Sequence, residues 1–213
     1  KETGSSNISF SIPTGNFGDA YAGYIAKEKF NIPIKKLIVA TNKNNILDRF
    51  FRTGTYKKDK VFTTISPSMD IQIASNFERL LYDMTNESGE KVSEFMNSFK
   101  EKGVIKVEKK HYARTKESFV SFSVNEADTK KSIRNTYNKF NMVIDPHTAV
   151  GLEASGKYLD EYPNDIVVTL ATAHPSKFSK SVNSILGFDP NLPHGYKNIS
   201  VSYTHLTLPT IFR

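Results

Sequence analysis

"SIPTGNFGDAYAGYIAKEKF", Ser11–Phe30, runs from an apolar stretch through two glycines into a helical pattern with almost no loop between. Just before it, Ile8, Phe10 and Ile12 alternate with Ser9 and Ser11, which is the period of a β-strand, and Pro13 ends that strand. Gly15 and Gly18 bracket Asn16 and Phe17. Glycines so placed are expected to take positive φ and to bring bare backbone N–H groups close to a ligand. From Asp19 onward, Ala20, Ala22, Tyr24, Ile25 and Ala26 predict a mostly apolar helix, whose unpaired first-turn N–H groups face the glycine turn. Such a terminus favours an anion, typically phosphate. The same residues also suit an ordinary tight strand-to-helix turn, and they match neither the G-x-x-x-x-G-K-[ST] nor the G-x-G-x-x-G spacing.

Outward from this stretch the pattern repeats. Lys35–Thr41, "KKLIVAT", reads as a short buried strand, and Asn44–Phe51, "NNILDRFF", as a helix opened by an Asn cap. The order strand, helix, strand, helix predicts an α/β protein: a three-layer, largely parallel sheet covered by helices. Ile73, Phe77, Leu80, Leu81 and Met84 recur at helical spacing, as do Val92, Phe95, Met96 and Phe99. Short extended pieces are expected between Val104 and Phe122. Ile133, Tyr137 and Phe140 predict a helix with Asn125 near its start, and Val150, Ala154, Tyr158 and Leu159 another that ends before Pro163. Asp165–Thr172, "DIVVTLAT", reads as a strand buried on both faces. It delivers Thr172, Ala173 and His174 at its C-terminal end, where open α/β sheets place ligands. Phe178, Val182, Ile185 and Leu186 predict a closing helix.

The 213 residues, 38% of them hydrophobic, are enough for a sizeable core in one or two domains. Twenty-nine Lys and Arg against 22 Asp and Glu give a formal charge of +7. The lysines cluster at 57–60, 100–110 and 130–131 without interleaved aromatics, so they are expected on solvated surface rather than on nucleic acid, and an anionic small ligand suits the balance. The absence of Cys excludes a disulfide scaffold and thiolate metal sites, and is compatible with a reducing compartment. His111, His147, His174, His194 and His205 show no metal-ligand spacing, so no metal is expected. Neither a signal-peptide core nor a run of transmembrane length occurs, which predicts a soluble, cytoplasmic chain away from membranes. The chain begins at Lys1 without Met. Its last thirteen residues, "VSYTHLTLPTIFR", contain no acidic residue and one basic one. They resemble translated sequencing-adapter read-through, so 201–213 is expected to be a non-native tail and the chain to be truncated at both ends.

Four groups of motifs, in order, carry a resemblance: "PTGNFGDAYAGY" (13–24), "LIVATNKNNILDRFFRTGTY" (37–56), "SPSMDIQIASNFERLL" (66–81), and "IDPHTAVG" (144–151) with "TLATAHPSKF" (169–178). Together they resemble the C-terminal two-thirds or so of the bacterial threonine synthase family, pyridoxal-phosphate enzymes of the tryptophan-synthase-β-like fold, fold type II. The resemblance covers nearly all of residues 7–200, which it makes the C-terminal part of the catalytic region. It implies that Gly15, Asn16, Phe17, Gly18 and the N–H of Asp19 cradle the phosphate of pyridoxal phosphate. It also implies that Thr172 sets its hydroxyl near the pyridine nitrogen. A neutral hydroxyl there, unlike a carboxylate, does not enforce a protonated ring. A strand-end hydroxyl capping the following turn is the other reading of Thr172.

The implied reaction converts O-phospho-L-homoserine and water to L-threonine and phosphate. The family's Schiff-base lysine sits in a Phe-Lys-Asp type motif upstream of the glycine turn, and no such motif occurs in residues 1–213. The segment that grips the substrate carboxylate is expected upstream as well. The chain thus holds half of an active site and is expected to be inactive alone. Candidates for the substrate phosphate are Ser68, Asp70, Asn76, Arg79 and Lys177, with Arg79 the best charged donor. Asp70 and Arg79 equally suit a structural network bracing the loop, and His147 and His174 suit structural or positioning roles. Two other readings stay open: a threonine-synthase-like phospho-lyase acting on a related phospho-amino acid, and a non-catalytic basic module whose nucleic-acid retention falls steeply with salt. The sequence leaves the oligomeric state open.

Overall fold

The computed structural model describes residues 8–193 and residue 195. The tail expected at 201–213 lies outside them. Strand β1 (Ile8–Pro13) leads through the glycine turn into helix α1 (Gly18–Glu28), strand β2 (Ile34–Thr41) and helix α2 (Ile46–Thr53). A small antiparallel pair, β3 (Thr55–Lys57) and β4 (Val104–Lys106), brackets α3 (Phe77–Met84) and α4 (Gly89–Lys102). Two single-turn helices, α5 (Lys109–Tyr112) and α6 (Thr115–Ser118), stand where only extended pieces are expected from the sequence. They lead into β5 (Phe119–Ser123), α7 (Glu126–Phe140), α8 (Pro146–Glu161), β6 (Val167–Thr169) and α9 (Ser179–Leu186). The main sheet has the order β5-β2-β1-β6, with every pair parallel.

Alternation along β2 builds the three layers. Leu37 and Val39 point to one face, where they join Ile12, Phe119 and the buried side of α1, α2 and α3. Ile38 and Ala40 point to the other, against Val150, Ala154 and Tyr158 of α8. A central parallel strand is therefore apolar on both faces. The serines of β1 are not turned to water: Ser9 and Ser11 are fully buried under α8. Ser11 Oγ donates to the Gly151 carbonyl at 2.7 Å. A Cβ on Gly151 would lie 2.9 Å from Pro13 Cγ and 3.0 Å from Thr169 Cγ2, so small residues on both elements let α8 approach closely.

Side-chain caps close the starts of α4, α7 and α8. Asn125 caps α7 by accepting from the Asp128 N–H, and Asp145 caps α8 ahead of Pro146. Asn45, at the start of α2, does not cap with its side chain; its Oδ1 accepts from Arg49 Nε at 3.2 Å instead. Ile73 is half exposed and precedes α3, because Asn76 is tied to the glycine turn and the helix starts only after it.

The strand expected over Asp165–Thr172 is shorter and more exposed than its β-branched centre implies. It spans Val167–Thr169, with Val168 41% exposed. The reason is its place at an edge: β6 pairs with β1 alone among the described residues. Ser9 N–H bonds the Ile166 carbonyl and Leu170 N–H bonds the Ser11 carbonyl, so Val167 and Thr169 turn their backbone groups outward, without partners among the described residues. At the opposite edge, two outward carbonyls of β5 are covered. There Arg52 Nη2 donates to the Ser121 carbonyl at 3.4 Å and Lys157 Nζ to the Ser123 carbonyl at 3.1 Å.

Candidate functional site

The chain leaves β1 through Thr14, whose N–H donates to the Ala40 carbonyl at 2.8 Å. The residue with positive φ in the turn that follows is Phe17, at 67°, and neither Gly15 nor Gly18 has it. Burial offsets the strain of a left-handed aromatic residue: the Phe17 ring is 1% exposed and packs against Phe51, Phe77 and Phe119. Gly15 is required for a different reason. A Cβ there would lie 2.6 Å from the Ser68 carbonyl oxygen, whereas one on Gly18 would meet only Asn76 Nδ2 at 3.4 Å.

The first hydrogen bond of α1 runs from Tyr21 N–H to the Phe17 carbonyl at 2.9 Å, and the N–H groups of Gly15 through Ala20 donate to no acceptor among the described residues. They border an open hollow of about 220 Å³. The Asn16 carbonyl, the acceptor that would repel an anion, is occupied twice: Asn76 N–H and Nδ2 donate to it at 3.1 and 3.0 Å. Donors without partners at a helix start, beside an acceptor already satisfied, suit a small anion.

Of the candidates for the substrate phosphate, the structure brings Ser68 and Asn76 against this turn, both through scaffold contacts. Asp70 is saturated by protein donors. Its Oδ1 accepts from Asn42 Nδ2, Asn44 Nδ2 and Thr64 Oγ1 at 2.7–2.9 Å, and its Oδ2 accepts from Thr64 N–H at 2.7 Å. Arg79 is exposed on α3, on the side of Tyr21. Burial and the hydrogen bond to Asp83 push the Tyr21 phenol up to about 12, and the Arg79 charge opposes that rise. Lys177 is exposed, its Nζ 5.7 Å from the Phe178 ring centre. Thr172 is exposed three residues past the end of β6.

A buried cluster surrounds His147, for which the sequence suits a structural or positioning role. Asp145 Oδ1 accepts from both the N–H and the ring Nδ1 of His147, each at 2.9 Å. Its Oδ2 accepts from Thr148 N–H and the Thr148 hydroxyl. Burial acts to raise the Asp145 carboxyl, but the hydrogen bonds from His147 and Thr148 outweigh it and hold the group below the ordinary carboxylate range. His147 is 4% exposed, and its Nε2 accepts the Ser68 N–H at 3.2 Å. The Asp-Pro-His-Thr run reveals the helix cap in the sequence, but nothing local points to Ser68, 79 residues away. No group of three metal-ligating side chains exists among the described residues, and no described helix is long and apolar enough to cross a membrane.

Residues 148–207 match the family model for the C-terminal domain of threonine synthase. The threonine synthase of Pseudomonas aeruginosa is 41% identical over 188 residues, which make up 88% of this chain and 40% of that protein. Among solved structures, pyridoxal-phosphate-bound threonine synthase from Brucella melitensis superposes with a TM-score of 0.83 at 38% identity, covering 91% of this chain and 41% of that one. Yeast threonine synthase superposes with a TM-score of 0.82 at 38% identity, covering 92% and 43%. The chain spans about 40% of the length of these relatives, less than the two-thirds expected from the motifs. Its helix-covered parallel sheet is the fold of these enzymes, pyridoxal-phosphate fold type II. Agreement in sequence and backbone along almost the whole described length means that the chain belongs to the threonine synthase family.

Proposed function

We propose that this chain is the C-terminal part of an enzyme that converts O-phospho-L-homoserine and water to L-threonine and phosphate, with pyridoxal phosphate held at the glycine turn. One observation carries the reading: the N–H groups of Gly15 through Ala20 have no acceptor among the described residues and open onto a hollow at the start of α1. Donors without partners at a helix start suit the free oxygens of a phosphate ester. When bound, pyridoxal phosphate supplies the electron sink for carbanion chemistry on the amino acid.

The chain's own residues bind and orient. Gly15, Asn16, Phe17, Gly18 and Asp19 offer backbone donors, and Asn76 keeps the Asn16 carbonyl from facing the anion unpaired. Thr172 would meet the ring nitrogen with an uncharged hydroxyl. Arg79 and Lys177, whose side chains make no hydrogen bond or ion pair among the described residues, are the charged groups left to meet a substrate phosphate. Asp70, with its oxygens occupied by protein donors, serves as scaffold. The amine that anchors the cofactor, and the groups that grip the substrate carboxylate, belong to the part of the relatives' length that this chain does not span. A cytoplasmic location and a small-molecule substrate, without nucleic acid, belong to the same reading.

The test uses this chain completed by the part of its relatives' length that it does not span. Pyridoxal phosphate is titrated by visible absorbance, and threonine and phosphate are measured from O-phosphohomoserine. Gly18→Val is expected to weaken the cofactor, because branched methyl groups on residue 18 crowd the approach of the anion to the backbone donors. Unchanged affinity in Gly18→Val would sink the assignment of the turn, and absence of threonine from the unaltered protein would sink the reaction.

A further inference from the structure

The Asp145–His147 pair is buried and fully hydrogen-bonded, yet the reading of the glycine turn as a phosphate cradle leaves it without a task. We propose that His147 is a positioning residue: by accepting the Ser68 N–H it pins the turn Ser66–Asp70 against Gly15, and so sets how firmly the Gly15–Ala20 amides grip an anion. The proposal rests on the phosphate reading of those amides.

The geometry is a relay with each atom assigned. Asp145 takes the proton on Nδ1, which leaves the lone pair on Nε2. That lone pair accepts the Ser68 N–H at 3.2 Å. The carbonyl of the same Ser68 lies so close to Gly15 that a Cβ would stand 2.6 Å from it. One residue therefore touches His147 with its N–H and the anion turn with its C=O. The turn has a second anchor at its far end, where Asp70 is held by Asn42, Asn44 and Thr64. Among the described residues, the bond to His147 is the one hydrogen bond that Ser68 makes, while buried Met69 packs beside it over Gly15. The Phe178 ring, 4.6 Å from the imidazole centre, closes the pair from another side. Packing against Phe178 calls for a flat ring alone. The imidazole is needed for the two hydrogen bonds.

Amide hydrogen exchange read residue by residue, with and without inorganic phosphate, tests this on the full chain. His147→Phe keeps the ring against Phe178 and removes the acceptor. It is expected to speed exchange at Ser68 about tenfold and to raise about tenfold the phosphate concentration that half-protects the amides of Gly15–Ala20, the scale of one hydrogen bond. His147→Gln, whose Oε1 can stand where Nε2 stood, should restore both to within about threefold, which a merely space-filling role would not produce. His147→Asn, which can satisfy Asp145 but not reach Ser68, replaces the Phe variant if that fails to fold. The proposal is overturned if the Phe or Asn variant leaves Ser68 exchange and the phosphate midpoint unchanged, or if Gln does no better than Phe. Failure of the phosphate reading shows separately: the unaltered chain would then gain no protection at Gly15–Ala20 from phosphate, which removes the anion half of the proposal, while Ser68 exchange still decides whether His147 is the anchor.

Discussion

A methyl group on residue 15 would collide with the Ser68 carbonyl, and backbone cannot step aside as a flexible side chain can. Gly15→Ala is therefore expected to cost about 1–3 kcal/mol in urea unfolding, the usual range for overpacking. Gly18→Ala, which meets only the end of Asn76, is expected to stay within about 1 kcal/mol of the parent. Equal losses at both positions would mean that the close approach to Ser68 does not constrain the turn. Asp145 makes a pH prediction. Its folded-state pKa is depressed, so its contribution to stability is fully present above the unfolded carboxylate value and is lost as pH falls through the folded value. Asp145→Ala should cost about 2 kcal/mol at neutral pH, a helix cap plus a charged hydrogen bond. That gap should shrink below about pH 4. A gap unchanged in acid would show that the ionised carboxyl contributes nothing beyond its shape.

At the scale of elements, α8 decides how the layers meet. A Cβ on Gly151 would meet Pro13 and Thr169 at 2.9 and 3.0 Å, while one on Gly156 of the same helix would meet nothing within 4 Å. Gly151→Ala should destabilise by about 1–3 kcal/mol. Gly156→Ala should stabilise by about 0.4–1 kcal/mol, through helix propensity and a less free unfolded chain. Urea midpoints that moved in the same direction for both would refute the close packing of α8 on β1. These elements also show what the sequence discloses. The strand–turn–helix at Ser11–Phe30, the buried strand at Lys35–Thr41 and the helix start at Asn125 are local patterns, and they are legible because each depends on neighbours within a few residues. The length of β6 is not, because β-branched residues mark a strand without saying whether it lies in the middle of a sheet or at its edge. Nor is the left-handed Phe17, which is held by Phe51, Phe77 and Phe119 from three other elements. The acceptor for Ser68 and the saturation of Asp70 likewise depend on residues brought together only by the fold.

For the whole molecule, the chain spans about 40% of its relatives' length. Expressed alone, it is expected to release no phosphate from O-phosphohomoserine, because no lysine in a Phe-Lys-Asp type motif is present to hold the cofactor for proton removal. Borohydride reduction with pyridoxal phosphate, followed by peptide mapping, should mark the surface lysines sparsely and evenly. A single dominant lysine together with turnover would overturn this. The two sheet edges carry a different consequence. One has two of its outward carbonyls covered by Arg52 and Lys157, and the other leaves Val167 and Thr169, among the described residues, with unpaired backbone groups beside exposed Val168. A body with one edge more open than the other pairs with a copy of itself through the open edge and turns only the partly covered edge outward, so association should favour two over growth into fibres. Sedimentation of this chain over a range of concentrations should follow a monomer–dimer curve. Val168→Lys, which plants a charge on the open edge, should hold it at one.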